Sequence, residues 1–317
     1  MPKLLHNTDE LKAAYGAIDA NFTWSNIESA VNDAETDHIE KTIGPEELTT
    51  IAGDATGDRA KAKELLVKAC AHLSIYIWSQ TALYRLNDAS LSVAKDSGGV
   101  IISDKKLRDF RNYSHDKAFG YLDEAVFLME SRLADFPAYA DSKERMDIRW
   151  TFIPTAIDFK RMVRSNLTRP ALLSYLPVMQ DAENQHLPLV MTPAYYEIFK
   201  ERYLDGELSP AELKLLPMVQ KASAHLTLCR VYEDPTVTGD DGTMVSRLGN
   251  SIDYEQRDPA SAQLLAQLAG RQQENAEAAL RMVKMYLQRN ASDYPDYNPP
   301  VRASVEVNSK CSGLFIL

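Results

Sequence analysis

Two short stretches carry residues that could do chemistry together. In "DAETDHI" (33–39) Glu35 and His38 stand three positions apart, and in "DAENQHL" (181–187) Glu183 and His186 repeat that spacing. Residues three apart on a helix share a face, so a carboxylate and an imidazole could reach one ion. Two Glu-x-x-His pairs are half of a di-metal site in a helical bundle. The other half is a lone glutamate from each of two further helices. Glu64 is the best candidate for one of these, but the matching part of the second half reads "LLPMVQ" (215–220) and supplies no partner. His72 and His225 each follow an alanine in an apolar run, as packed histidines do. The residues therefore read as architecture. Glu35, Glu183, His38, His186, His72 and His225 are structural repeat pairs, with no metal, cofactor or catalytic role expected.

Other chemistries find less support. There is no glycine-rich phosphate loop, nucleophile elbow or Cys-His arrangement. The stretches "DSGG" (96–99) and "GDDG" (239–242) lack the acidic spacing and distal glutamate of a calcium loop. They read as turns. Cys70, Cys229 and Cys311 have no metal-type spacing, and their odd number fits a reducing compartment. "SDYPDYNPP" (292–300) reads as a rigid extended exit.

The elements that must position these residues are duplicated. Four of seven positions agree between 33–39 and 181–187, an offset of 148 (33 to 181). The same offset lays "ELK" (10–12) on "DFK" (158–160) and Pro45 on Pro193. After a slip of register, "KACAHLSI" (68–75) meets "KASAHLTL" (221–228), and "DFPAY" (135–139) returns as "DYPDY" (293–297). The segments "SVAKDSGGVII" (92–102) and "TVTGDDGTMVS" (236–246) lie between them. So ordered a series is a tandem repeat.

Each copy reads as helical. A short apolar stretch precedes a polar cap at Asn7–Thr8 or Thr155, then a short helix. A helix over about 26–43 places Ile27, Ala30, Val31, Ala34 and His38 on one face; Gly44-Pro45 ends it. Long helices follow over about 59–83 and 210–232, and over about 104–134 and 259–290. Between them, each copy is expected to insert a β-hairpin at its glycine-bearing turn. The fold class expected is mainly α: two tandem homologous helical-bundle units, 1–149 and 150–299, each with a β-hairpin insertion, plus an extended C-terminal arm, 300–317.

Bulk properties limit the partners. The 317 residues are 45% hydrophobic and 25% charged, which suits a globular chain long enough for two cores. No apolar run reaches the length of a membrane span, and the polar turn after "MPKLL" gives no signal peptide. A net charge of −10 disfavours holding nucleic acid, which needs a basic footprint. The arm alternates through Val305 and Val307 and ends in Leu314, Phe315, Ile316 and Leu317. So apolar an end needs cover, either on its own unit or as a strand added to a neighbour. It is the expected assembly element.

The order "LxNTDELK", "NDAExxHI…IGPEEL", "AKELLVKACAHLSIYIW", a hairpin, and a helix ending "DFPAY" resembles a duplicated, uncharacterised family of Bacteroidetes phages and prophages. Its units are similar to the head–tail connectors, or adaptors, of tailed phages. That resemblance covers nearly all of 1–298. It implies a structural virion protein, not an enzyme, forming a ring, commonly a dodecamer, in the neck beneath the portal. It implies the portal and other neck or tail proteins as partners, DNA passing through without specific binding, no membrane, and assembly in the host cytoplasm. Two other classes stay open on the residues alone: a ferritin-like di-metal helical protein and a cellular helical-repeat interaction protein.

Overall fold

The computed structural model describes residues 2–298, apart from 17, 19–21, 54–55, 82–83, 88–89, 94–103, 166, 234–244, 247–257 and 260–261. In the first half, α1 (Thr8–Tyr15) begins where the Asn7 side chain accepts the N–H of Glu10. In the second half, Thr155 caps α9 (Ala156–Met162) in the same way through Asp158. Asparagine and threonine are favoured there because their side-chain oxygen satisfies an N–H that has no helical partner.

The helix carrying Glu35 is continuous but irregular: α2 (Glu28–Asp33), a π-helical stretch Ala34–Glu40, then α3 (Lys41–Ile43). Ile27, Ala30, Val31 and Ala34 are buried as the periodicity predicts. The wider π turn interrupts the 3.6-residue repeat and leaves His38 half-buried. Its counterpart is one helix, α10 (Arg169–Met191). A proline at the first helical position then starts α4 (Pro45–Ala52) and α11 (Pro193–Asp205).

Each half is completed by an antiparallel pair of long helices. These are α5 (Asp58–Thr81) with α6 (Asp104–Ser131), and α12 (Pro210–Glu233) with α13 (Ala262–Arg289). Both pairs end in a 3₁₀ turn, Leu133–Asp135 and Ala291–Asp293. Two short helices, α7 (Pro137–Ala140) and α8 (Lys143–Arg149), connect the halves. One apolar cluster is built wholly from residues between Leu4 and Tyr139. Those of the second half run from Phe152 to Tyr297.

The expected β-hairpin insertions are corrected. The described residues are predominantly helical, and a hairpin insertion in each unit is not seen. Extended pairing amounts to two short ladders, Tyr84–Asn87 with Ser90–Val93 and Val245–Ser246 with Asp258–Pro259. Neither turns on "DSGG" or "GDDG", which fall outside the described residues, and ladders this small build no layer. Glycine and aspartate mark a chain reversal, but they do not say what flanks it. The arm residues Val305, Val307, Leu314, Phe315, Ile316 and Leu317 also lie outside the described residues.

Candidate functional site

The repeated glutamates are the polar centres of their units. Glu35 is buried, and its carboxylate accepts the backbone N–H of Leu4 at 2.8 Å and of Lys3 at 2.6 Å. Glu183, fully buried, accepts the backbone N–H of Phe152 at 3.0 Å. Phe152 follows Leu4 by the same offset that separates the glutamates, so the bond itself is duplicated. A second contact repeats too. Cys70 Sγ lies 3.9 Å from Glu35 Oε1, and its counterpart Ser223 donates to Glu183 Oε1 at 2.7 Å. Burial and Glu35 together push the Cys70 thiol well above its usual range. The second unit adds Lys200, whose ammonium is 3.1 Å from Glu183 and 3.9 Å above the Phe152 ring. Burial pulls that ammonium's pKa down, against the pull of Glu183.

The carboxylates are thus engaged in pinning the start of each unit to its helix pack. The structure does not bring them to the histidines. His38 packs edge-on against Phe119 at 5.6 Å, and burial lowers its pKa. His186 is half-buried, its pKa lowered by burial and then by Arg230. His72 is buried among Tyr15, Tyr113 and Tyr121, and burial, then Lys117, brings its pKa to about 4. His225 instead places Nδ1 2.7 Å from Gln272 Oε1. Glu64 is exposed and pairs with Lys68 at 2.6 Å. Among the described residues no three His, Cys, Asp or Glu side chains come together as a metal set.

The halves meet at a buried charged junction that the motifs did not reveal. Asp123 on α6 accepts the N–H groups of Ala156 and Ile157 at 3.0 and 2.8 Å, capping α9 from the other unit. Glu130 accepts from Arg145 Nε at 3.0 Å and from the Tyr139 hydroxyl at 2.9 Å. Arg149 lies 3.9 Å from Glu130 and donates to the Tyr203 carbonyl at 2.9 Å. Arg169 stands 3.5 Å from Asp123. The sequence signal for Asp123 is an acid on the inward helical face that carries Leu122 and Val126, with Glu124 beside it turned outward. For Arg169 it is a cation just ahead of the helix-starting Pro170.

Fold and junction together define a tandem helical-bundle protein with an internal duplication. The chain matches the family described as "Family of unknown function (DUF6712)" twice, over residues 27–149 and 187–306, and it belongs to that family. No curated protein and no solved structure matches the chain. No helix among the described residues is long and apolar enough to cross a membrane.

Proposed function

We propose that the protein is a structural, ring-forming head–tail connector in the neck of a tailed phage, seated beneath the portal. The observation that carries this reading is the use made of the repeated glutamates. Both carboxylates that could have held metal hold backbone N–H groups instead, so the duplicated polar residues serve architecture. Apolar side chains that remain on the surface support an assembling role: Leu189 is 75% exposed and Met282 58%. Large exposed apolar groups are the raw material of subunit contacts. The acidic balance suits a channel wall that lets DNA pass without retaining it.

In this reading the partners are further copies of the chain in a dodecamer, the portal, and neighbouring neck or tail proteins. The ring assembles in the host cytoplasm before entering the virion. The test is sedimentation velocity and electron microscopy of the purified protein, alone and co-expressed with a portal encoded beside it. Closed rings that sediment with the portal are expected. A monomer at every concentration that ignores the portal would overturn the reading.

A further inference from the structure

The last long helices of the two units correspond residue for residue. Each has 28 residues and runs into its 3₁₀ turn at the same spacing, an offset of 158 (Leu133 to Ala291). Asp123 and Phe127 of α6 therefore stand where Arg281 and Met285 stand on α13. In the first unit this face is covered. Asp123 is 3% exposed and accepts two N–H groups of α9, and the Arg161 guanidinium of α9 lies 4.5 Å over the Phe127 ring. In the second unit the same face is open: the Arg281 side chain is 67% exposed and Met285 48%.

The covering helix has a counterpart at the other end of the molecule. α1 repeats α9 at the offset of 148, with the same kind of cap, and packs against α5 as α9 packs against α12. On α9, the Ile157 amide and Arg161 meet the first unit. The equivalent positions on α1, Asp9 and Ala13, are exposed, on the side of the helix away from the buried Leu11. One half of the internal junction is thus left open on α13, and the other half on α1.

The two open halves are complementary in charge. Where α6 carries an acid, Asp123, α13 carries Arg281; where α9 carries Ile157, α1 carries Asp9, with Glu10 beside it. Two full negative charges outweigh the positive end of α1, about half an elementary charge, so a cation is favoured there. Glu277, the acid that Arg281 already has, is 3.7 Å away in an exposed pair that contributes little. Size is matched as well: small Ala13 against flexible Met285 stands in for Arg161 upon Phe127.

We propose that the α13 face around Arg281 and Met285 receives α1 of a second copy, repeating between molecules the contact that α9 makes with α6 within one. Such a contact is heterologous, so each added molecule offers a fresh face until a ring closes. The proposal rests on the ring reading for that closure, and it names the surfaces that would form the joints.

The test is sedimentation velocity of the full chain and of two charge reversals, Arg281→Glu and Asp9→Arg, with circular dichroism to follow folding. Each alone should weaken self-association by about tenfold or more, because like charges then face one another. An equimolar mixture of the two variants should recover it, since every joint between unlike molecules pairs opposite charges. If Asp9→Arg does not fold, Met285→Glu, at the centre of the same face, should show the loss instead. Variants that associate as the intact chain does, or a mixture that stays dissociated, overturn this contact and leave the ring reading standing. Open head-to-tail oligomers that are lost in the variants, but that never close or bind the portal, overturn the ring reading and leave this contact standing. A chain that is monomeric at every concentration overturns both.

Discussion

Thr192 holds its backbone at φ 69° and ψ 143°, where Gly44, at the equivalent place in the first repeat, holds 83° and 149°. Both precede a helix-starting proline, which forces the extended ψ. Positive φ with that ψ suits glycine alone, and a β-branched residue is strained there. Thr192 is the one non-glycine residue with positive φ among those described. The duplication kept the conformation and lost the residue that suits it.

Replacing Thr192 by Gly should therefore stabilise the protein by about 1 kcal/mol, strain relief outweighing the entropy of the added glycine. The reciprocal change, Gly44→Ala, should cost about 1–3 kcal/mol. A Cβ there would also sit 3.2 Å from Glu144 Oε2 and 3.3 Å from Ser142 Cβ. Urea unfolding measures both. A destabilised Thr192→Gly variant would show that the threonine has a compensating contact.

The two buried glutamates should differ in what their loss costs. Glu35→Ala strands two backbone N–H groups, for about 2–3 kcal/mol. Glu183→Ala also strands the Lys200 ammonium, which raises the cost to about 3–5 kcal/mol. Adding Lys200→Met to Glu183→Ala should recover part of the loss. Equal costs for the two single variants would mean that Lys200 finds another partner or a path to water.

Arg149 ties Glu130 of the first unit to the Tyr203 carbonyl of the second. Calorimetry of Arg149→Ala should resolve two transitions where the intact chain gives one, because the shared junction couples the units. The loss should be about 3–5 kcal/mol, the cost of breaking a buried pair. A single transition in the variant would place the coupling elsewhere, at Asp123.

Burial lowers the pKa of His72 from 6.5 to about 4. The unfolded chain then binds more protons than the folded one between those values, so stability falls as pH drops through that window. It is fully present above pH 6.5. One such group gives a slope of at most about 1.4 kcal/mol per pH unit. His72→Phe should flatten the profile between pH 6.5 and 4 in acid-titrated unfolding. An unchanged slope would assign the acid sensitivity to other groups.

Much of the fold was legible because its signals are local. Asn7 and Thr155 cap the helices they precede, and the long helices fall within a few residues of their periodicity. Even the register slip has a plain cause. α11 has 13 residues and α4 has 8, which matches the change of offset from 148 to 153. The paired glutamates were visible, but their role was not. Their partners are backbone N–H groups of Leu4 and Phe152, and nothing in a leucine or phenylalanine marks its amide as special. Asp123, Glu130, Arg149 and Arg169 escaped for a similar reason. Their partners lie in other elements, across a junction that exists only after folding.

The Asp123 cap on α9 also sets an order in time. The core of the first unit is complete by Tyr139, whereas the second unit needs a carboxylate from the first to finish its opening helix. A ribosome releases the chain from its N-terminus, and domains fold as units in that order. The first bundle can thus be standing, with Asp123 and Glu130 in place, before Arg169 emerges. The earlier repeat serves as a template for the later one, and a chain synthesised with the halves exchanged would present its dependent unit to the cell first.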